Sequence, residues 1–336
     1  MLESSEQVFA IRLCFPMSST ITLGGTKLKS NVILAPMAGV TDLPFRRIIR
    51  KFGNFLMFSE MVASQAVIRR VSKTHRMMDL GNDLFTSVQI IGVDPVVMAD
   101  AAKLSFDLGA EFIDINMGCP VKKVVKSMAG AALMRDEKLA ANVIKSVVNA
   151  VPIPVTVKMR LGWDSESKNA STLAKIAEDL GIQMITVHGR TRSQLHSGTA
   201  NWSEVGYVKE AVSIPVIVNG DVTDAISAKK AIMESGANGV MIGRGSLGSP
   251  WILQDIHDAI EVNGQDFKPP FVNKFDVVKS HLDYMLEFYE AECAIRMFRK
   301  VLMYYCKSIK NATQYRKKIC EINTVDEAYE LISSMF

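Results

Sequence analysis

The stretch Val216-Ile217-Val218-Asn219-Gly220-Asp221, followed by a helical segment over 224–235, Gly236 and then Gly239-Val240-Met241-Ile242-Gly243-Arg244, decides the fold. It reads as a short apolar run ending in polar residues and glycine, a helix with a glycine stop, and a second run of the same kind. Runs that are apolar without alternation suit strands covered on both faces, as in a parallel sheet. Eight such runs occur, at 32–36, 55–60, 87–92, 112–116, 155–160, 184–189, 216–221 and 239–244. Helix-like segments lie between them, among them 95–108, 137–148 and 171–180, the last with Gly181 behind it. Eight β-α units over about 220 residues predict an α/β chain with a closed (β/α)8 TIM barrel rather than an open doubly wound sheet.

Outward from the barrel, the segment 20–28 reads as a hairpin with a Gly24-Gly25 turn that can plug the barrel floor. The barrel domain is placed at 20–260, and residues 1–19 are expected to be an extension, disordered or an upstream start before Met17. The segment 261–274, with Gly264 and Pro269-Pro270, reads as a linker. The rest, 275–336, is expected to be a small all-helical domain, with amphipathic stretches at 275–289, 293–309 and 325–335.

Composition narrows the class. With 48% hydrophobic and 22% charged residues among 336, a large core can be buried and global disorder is excluded. No apolar run reaches the roughly 18 residues of a membrane span. Glu3 and Glu6 precede a short tract broken by Arg12, unlike a signal peptide, so a soluble cytoplasmic protein is expected. The five cysteines, Cys14, Cys119, Cys293, Cys306 and Cys320, form no C-x-x-C pair, which argues against a disulfide framework and against a metal site. Between 294 and 320 there are eight basic residues and no acidic one, a candidate footprint for a polyanion.

Barrel chemistry sits at the C-terminal ends of the strands. Those ends carry Pro36-Met37-Ala38, Glu60, Gln89, Asn116 with Cys119, Lys158 with Arg160, His188 with Arg190, Asn219-Gly220-Asp221 and Gly243-Arg244. The two glycine turns after strands seven and eight suit a phosphate, helped by backbone N–H groups, a following helix N-terminus and Arg244; the alternative is that they only make tight turns. Gly243–Gly248 also fits G-x-G-x-x-G, a weak signal here because no further strand follows. Lys158, in an apolar strand, needs an anionic partner, and the electron-rich edge of a reduced flavin is one. Gln89 and His188 can bond the rest of such a ring. Cys119, between Gly118 and Pro120, can act as an acid or as a nucleophile. The rim residues Lys122, Lys123, Lys126, Arg190 and Arg192 are candidates to grip phosphates.

The runs Ala35-Pro36-Met37-Ala38-Gly39-Val40-Thr41-Asp42, Asp114-Ile115-Asn116-Met117-Gly118-Cys119-Pro120 and Thr186-Val187-His188-Gly189-Arg190-Thr191-Arg192 resemble the tRNA-dihydrouridine synthases. The segments 215–221 and 241–244 extend the likeness, and Val121-Lys122-Lys123-Val124 makes it most similar to the bacterial B-type subfamily. The resemblance implies an FMN enzyme that reduces uridine to 5,6-dihydrouridine in the D-loop of tRNA, with NADPH as reductant or NADH as the alternative. It implies that Pro36, Met37 and Ala38 line the flavin, that Gln89, Lys158 and His188 bond its ring, and that Asn219, Gly220, Asp221, Gly243 and Arg244 hold its phosphate. Cys119 would then deliver a proton to uracil C5 as hydride from flavin N5 reaches C6, with Asn116 orienting a flipped-out base. The helical domain would hold tRNA through a basic helix carrying Arg296, Arg299 and Lys300. A monomer, no metal and no membrane are expected. A flavin barrel acting on a free pyrimidine is disfavoured by the basic helical domain. A non-catalytic RNA-binding barrel is disfavoured by the set Gln89, Lys158, His188 and Cys119.

Overall fold

The structure is a computed structural model that describes residues 20–69, 76–81, 85–261 and 269–336. The expected extension over 1–19 and the middle of the expected linker, 262–268, lie outside the described residues. An antiparallel hairpin, β1 (Thr22–Leu23) and β2 (Thr26–Lys27), comes first. Then follow β3 (Val32–Leu34), α1 (Leu43–Arg50), β4 (Leu56–Phe58), β5 (Val62–Ala63), α2 (Ser64–Ile68), β6 (Thr86–Ile91), α3 (Pro95–Asp107), β7 (Phe112–Met117), α4 (Lys122–Val125) and α5 (Glu137–Ala150). The barrel continues with β8 (Val155–Arg160), α6 (Ala170–Asp179), β9 (Met184–His188), α7 (Trp202–Ala211), β10 (Val216–Asn219), α8 (Ala225–Ser235), β11 (Gly239–Ile242) and α9 (Ile252–Glu261).

The eight predicted strands are all present, and they close. β11 pairs in parallel with β3 (Val240 opposite Val32), and β4 pairs with β6 (Met57 opposite Thr86), while the short β5 rides on β6. Residues such as Ile115, Val157, Val187 and Val218 are buried on the helix-facing side against Ala101, Val143, Leu173 and Ala177. The predicted floor plug is also present: Ile21, Leu23 and Leu28 pack against Ile33, Phe58, Phe112, Ile217 and Met241. Helix boundaries follow local chemistry. Asp94, Asp136 and Asp224 accept hydrogen bonds at the N-termini of α3, α5 and α8, and Gly236 ends α8 at φ 62°.

The C-terminal module consists of α10 (Lys274–Phe288), α11 (Ala291–Tyr305), α12 (Ala312–Glu321) and α13 (Val325–Met335) around Leu282, Phe298, Leu302, Ile319 and Ile332. The stretch expected as one helix over 293–309 ends at Tyr305 in a 3-10 turn, and α12 within the basic block was not expected at all. Ile319 is the buried side chain of α12, and Ala312 and Tyr315 pack partly buried on the same face, a short stripe set among Arg316, Lys317 and Lys318. The module grips the segment between β3 and α1. Ile48 of α1 belongs to its core, Arg47 pairs with Glu287 at 2.9 Å, the Tyr289 hydroxyl donates to Asp42 at 2.9 Å, and the Lys300 ammonium donates to the Gly39 carbonyl at 3.1 Å.

Candidate active site

Register sets the floor of the site. Gln89 and Thr156 are the partners of Asp114 across β6, β7 and β8, so the three side chains form one layer. Asp114 is fully buried and accepts from Gln89 Nε2 and from Thr156 Oγ1, both at 2.6 Å. Burial raises its pKa to about 6 against those hydrogen bonds and the charge of Lys158. The carboxylate fixes which end of the Gln89 amide points where. Gln89 Oε1 consequently accepts from Asn116 Nδ2 at 2.7 Å, and Asn116 Oδ1 accepts from the backbone N–H groups of Gly118 and Cys119 at 3.1 and 2.9 Å. A buried relay thus runs from Asp114 through two amides to the loop that carries Cys119.

Above this layer, Lys158 and Arg160 follow Thr156 at alternate positions of β8 and share its inward face. The Arg160 guanidinium is spent on carbonyls: Gly118 at 2.8 Å, and Thr191 and Leu195 at 2.9 Å each. The half-buried Lys158 ammonium has no acidic or hydrogen-bonding partner among the described residues. Burial and then the Arg160 charge push its pKa down to about 8, against the pull of Asp114 and Cys119. Cys119 is buried, and desolvation lifts its pKa above the ordinary thiol value, opposed by the Val121 backbone and by Arg160 and Lys158. The thiol therefore holds its proton at neutral pH, with two cations close enough to stabilise the anion left by its loss.

His188 stands opposite Arg160 on β9, and burial with the charges of Lys158, Arg160 and Arg190 keeps its imidazole neutral. The glycine at 220 is required here: at φ 116° it sits where a Cβ would lie 2.6 Å from the His188 ring. Asn219 donates to the Met241 carbonyl at 2.8 Å and joins the ends of β10 and β11. Gly243 lies against Ala35 and Met37, where a Cβ would be in ordinary contact at 3.6 and 3.7 Å, with Pro36 and Met37 half-buried and Ala38 exposed. The turn after Gly243 is a 3-10 turn, Arg244–Ser246, with α9 beginning only at Ile252, so no regular helix N-terminus follows Gly243 directly, and the exposed Arg244 side chain pairs with Asp221 at 3.2 Å.

Several expected roles change. Arg190, expected to grip RNA on the rim, is 1% exposed. Its guanidinium forms a bidentate pair with Asp221 at 2.5 and 2.9 Å and donates to the Ser197 and Gly198 carbonyls. The Asp221 carboxylate accepts in addition from Arg244 and from the Ala200 N–H, so its side chain positions two arginines. Burial works to raise the Asp221 pKa, but the Arg190 and Ala200 hydrogen bonds and the charges of Arg190 and Arg244 outweigh it and hold it low. Arg299, expected on tRNA, is half-buried and ties α11 to the Ile322 carbonyl and Asn323 at 2.7 and 2.8 Å. Lys122, Lys123, Arg296 and Lys300 are exposed. The residues that sequence reading passed over are Asp114 and Thr156. They lie two positions down the strand from Asn116 and Lys158, and a period-two reading of β7 and β8 finds them.

The family model described as Dihydrouridine synthase (Dus) matches residues 33–335. A "Probable tRNA-dihydrouridine synthase" of Rickettsia prowazekii (strain Madrid E) is 45% identical over 309 residues, 91% of this chain and 94% of the relative. "tRNA-dihydrouridine synthase B" of Vibrio parahaemolyticus is 41% identical over 315 residues, 94% of this chain and 98% of the relative. Among solved structures, histamine dehydrogenase from Rhizobium sp. 4-9 superposes with a TM-score of 0.57 at 15% identity. That match covers 80% of this chain but 51% of the other, and it speaks for the fold alone. Near-complete, reciprocal coverage by relatives of one kind places this protein: the chain belongs to the dihydrouridine synthase family.

Proposed function

We propose that the protein reduces uridine to 5,6-dihydrouridine in the D-loop of tRNA, with FMN as its bound cofactor and NADPH as the reductant. The observation that carries this reading is the pairing, in one barrel mouth, of an unpartnered Lys158 ammonium with a Cys119 thiol held protonated. The residues present fit a flavin mononucleotide. Lys158 lacks the anion that a reduced ring edge provides, His188 is neutral and available as a hydrogen-bonding group, and at the ends of β10 and β11 Gly220 and Gly243 add no side chain beside the exposed Arg244 guanidinium, which suits a phosphate. The bound flavin supplies the hydride that the C6 position of uracil needs.

The protein's own groups do the rest. Reduction of C5=C6 leaves electron density at C5, conjugated with the C4 carbonyl, and the Cys119 S–H bond breaks to place its proton on C5. The sulfur is left as thiolate, to be reprotonated from solvent. Arg160 and Lys158 lower the cost of that thiolate, while burial keeps the proton in place beforehand. Asn116 holds the Cys119 loop through two backbone N–H groups, so the thiol position is set by the Asp114 relay rather than by the loop alone. Arg190 and Asp221 fix the wall behind His188.

Replacement Cys119→Ala tests the assignment. The variant should keep its yellow colour and bind tRNA, yet lose about 100-fold or more of dihydrouridine formation measured by mass spectrometry of tRNA. Turnover equal to the parent removes Cys119 from the acid role. A parent protein that is colourless and takes up no FMN removes the whole reading.

A further inference from the structure

Trp163, in the loop after β8, lies between two arginines. The Arg192 guanidinium carbon is 4.5 Å from the indole centroid and that of Arg135 is 4.8 Å away. The three residues come from three separate rim loops. Backbone bonds lock the Trp163 and Arg192 loops together: Arg192 N–H to the Gly162 carbonyl and Ser193 N–H to the Trp163 carbonyl, both at 2.9 Å. Neither guanidinium has an acidic partner among the described residues, and Arg192 Nε is buried without any acceptor. Stacking uses the flat faces and leaves N–H edges free, and a stacked guanidinium has already lost much of the freedom that binding would otherwise remove.

The stack is close to the chemistry. The 3-10 turn Gly130–Arg135 that ends in Arg135 is anchored where the Ala131 N–H donates to the Cys119 carbonyl at 3.0 Å. On the other side, Arg160 joins the Cys119 loop, at Gly118, to the loop of Arg192, at Thr191. Two cations are therefore held on either side of one ring, Arg192 close enough to Arg160 for their charges to interact, and neither guanidinium is in an ion pair among the described residues. Such an arrangement is costly to a fold by itself and favourable to a polyanion.

We propose that Arg135, Trp163 and Arg192 form a preorganised cationic stack that holds the phosphate backbone of the tRNA loop at the barrel rim while its uridine is presented to Cys119. This rests on the function proposed above and adds two residues, Arg135 and Trp163, that the sequence does not single out. It also gives Arg192 a different setting from Arg190, which faces inward and is consumed by Asp221.

The test uses the full-length flavin-loaded protein and unmodified tRNA, with affinity measured by fluorescence anisotropy over a series of salt concentrations. Arg135→Ala and Arg192→Ala should each reduce the slope of log affinity against log salt by about 0.7, and the double variant by about twice that. The kinetic loss should fall on KM for tRNA more than on kcat, with the flavin spectrum unchanged. Trp163→Leu should weaken binding severalfold, and Trp163→Tyr, which keeps a flat π face, should restore most of it. A double variant with the parent's salt slope, while the parent binds tRNA, overturns the stack alone. So does a fall in melting temperature and kcat with affinity intact, which marks a merely structural stack. A parent that makes no dihydrouridine and binds no tRNA overturns the proposed function and the stack with it.

Discussion

The two ends of the barrel are built by the same eight strands and obey opposite rules. At the floor, Phe58, Phe112, Ile217 and Met241 close around the hairpin residues Ile21, Leu23 and Leu28 without a charge among them. At the mouth, Asp114, Lys158, Arg160, His188 and Arg190 crowd together, and burial displaces Asp114, Lys158, Arg160 and His188 from their ordinary titration. The floor is what a fold needs for stability. The mouth is what it tolerates, because desolvated like charges raise the free energy of the folded state unless a ligand completes them.

This contrast can be broken by experiment. The largest effect should come from the floor: Phe112→Ala removes a fully buried ring and should cost about 3–5 kcal/mol in chemical denaturation. A cost below about 1 kcal/mol would mean that the floor is not a packed core. Next comes the pH dependence of Asp114. Its folded-state pKa, about 6, lies above the usual 3.8, so its stabilising contribution is complete below 3.8 and is lost as pH rises through 6. The difference in stability between Asp114→Asn and the parent should therefore shift in favour of the variant across that window. The shift should approach about 1.4 kcal/mol per pH unit, and a flat difference would refute the buried-carboxylate account. The smallest effect has the opposite sign to the floor mutation. Lys158→Met should leave the ligand-free protein as stable as the parent or about 1 kcal/mol more stable, while affinity for the proposed FMN falls. Marked destabilisation would show that the fold itself depends on this ammonium.

Legibility followed the same divide. The eight strands were readable because covered parallel strands leave uninterrupted apolar runs, and the hairpin because Gly24-Gly25 punctuates it. At the mouth, residue types were readable and their partners were not. Asp221 is 31 residues from Arg190, across α7 and β10, so nothing local marks Arg190 as buried. Asp114 stood in the motif that was read, but attention to strand ends passed over the layer beneath. Trp163 gains its meaning only when the loops of Arg135 and Arg192 arrive on either side of it. In the helical module, α12 escaped because its apolar stripe, Ala312, Tyr315 and Ile319, is short and weakly apolar and lies within the basic block of Arg316, Lys317 and Lys318.

The peptide at Gly39 is held from both sides, its N–H by Glu60 of the barrel and its carbonyl by Lys300 of the helical module, while Asp42 nearby is covered by Tyr289. The barrel is therefore no free-standing cassette. Excising the helices would uncover Ile48 and strip Asp42 of Tyr289 and the Gly39 carbonyl of Lys300, so a graft between relatives has to carry the 36–48 segment and α10–α11 together as one exchangeable block.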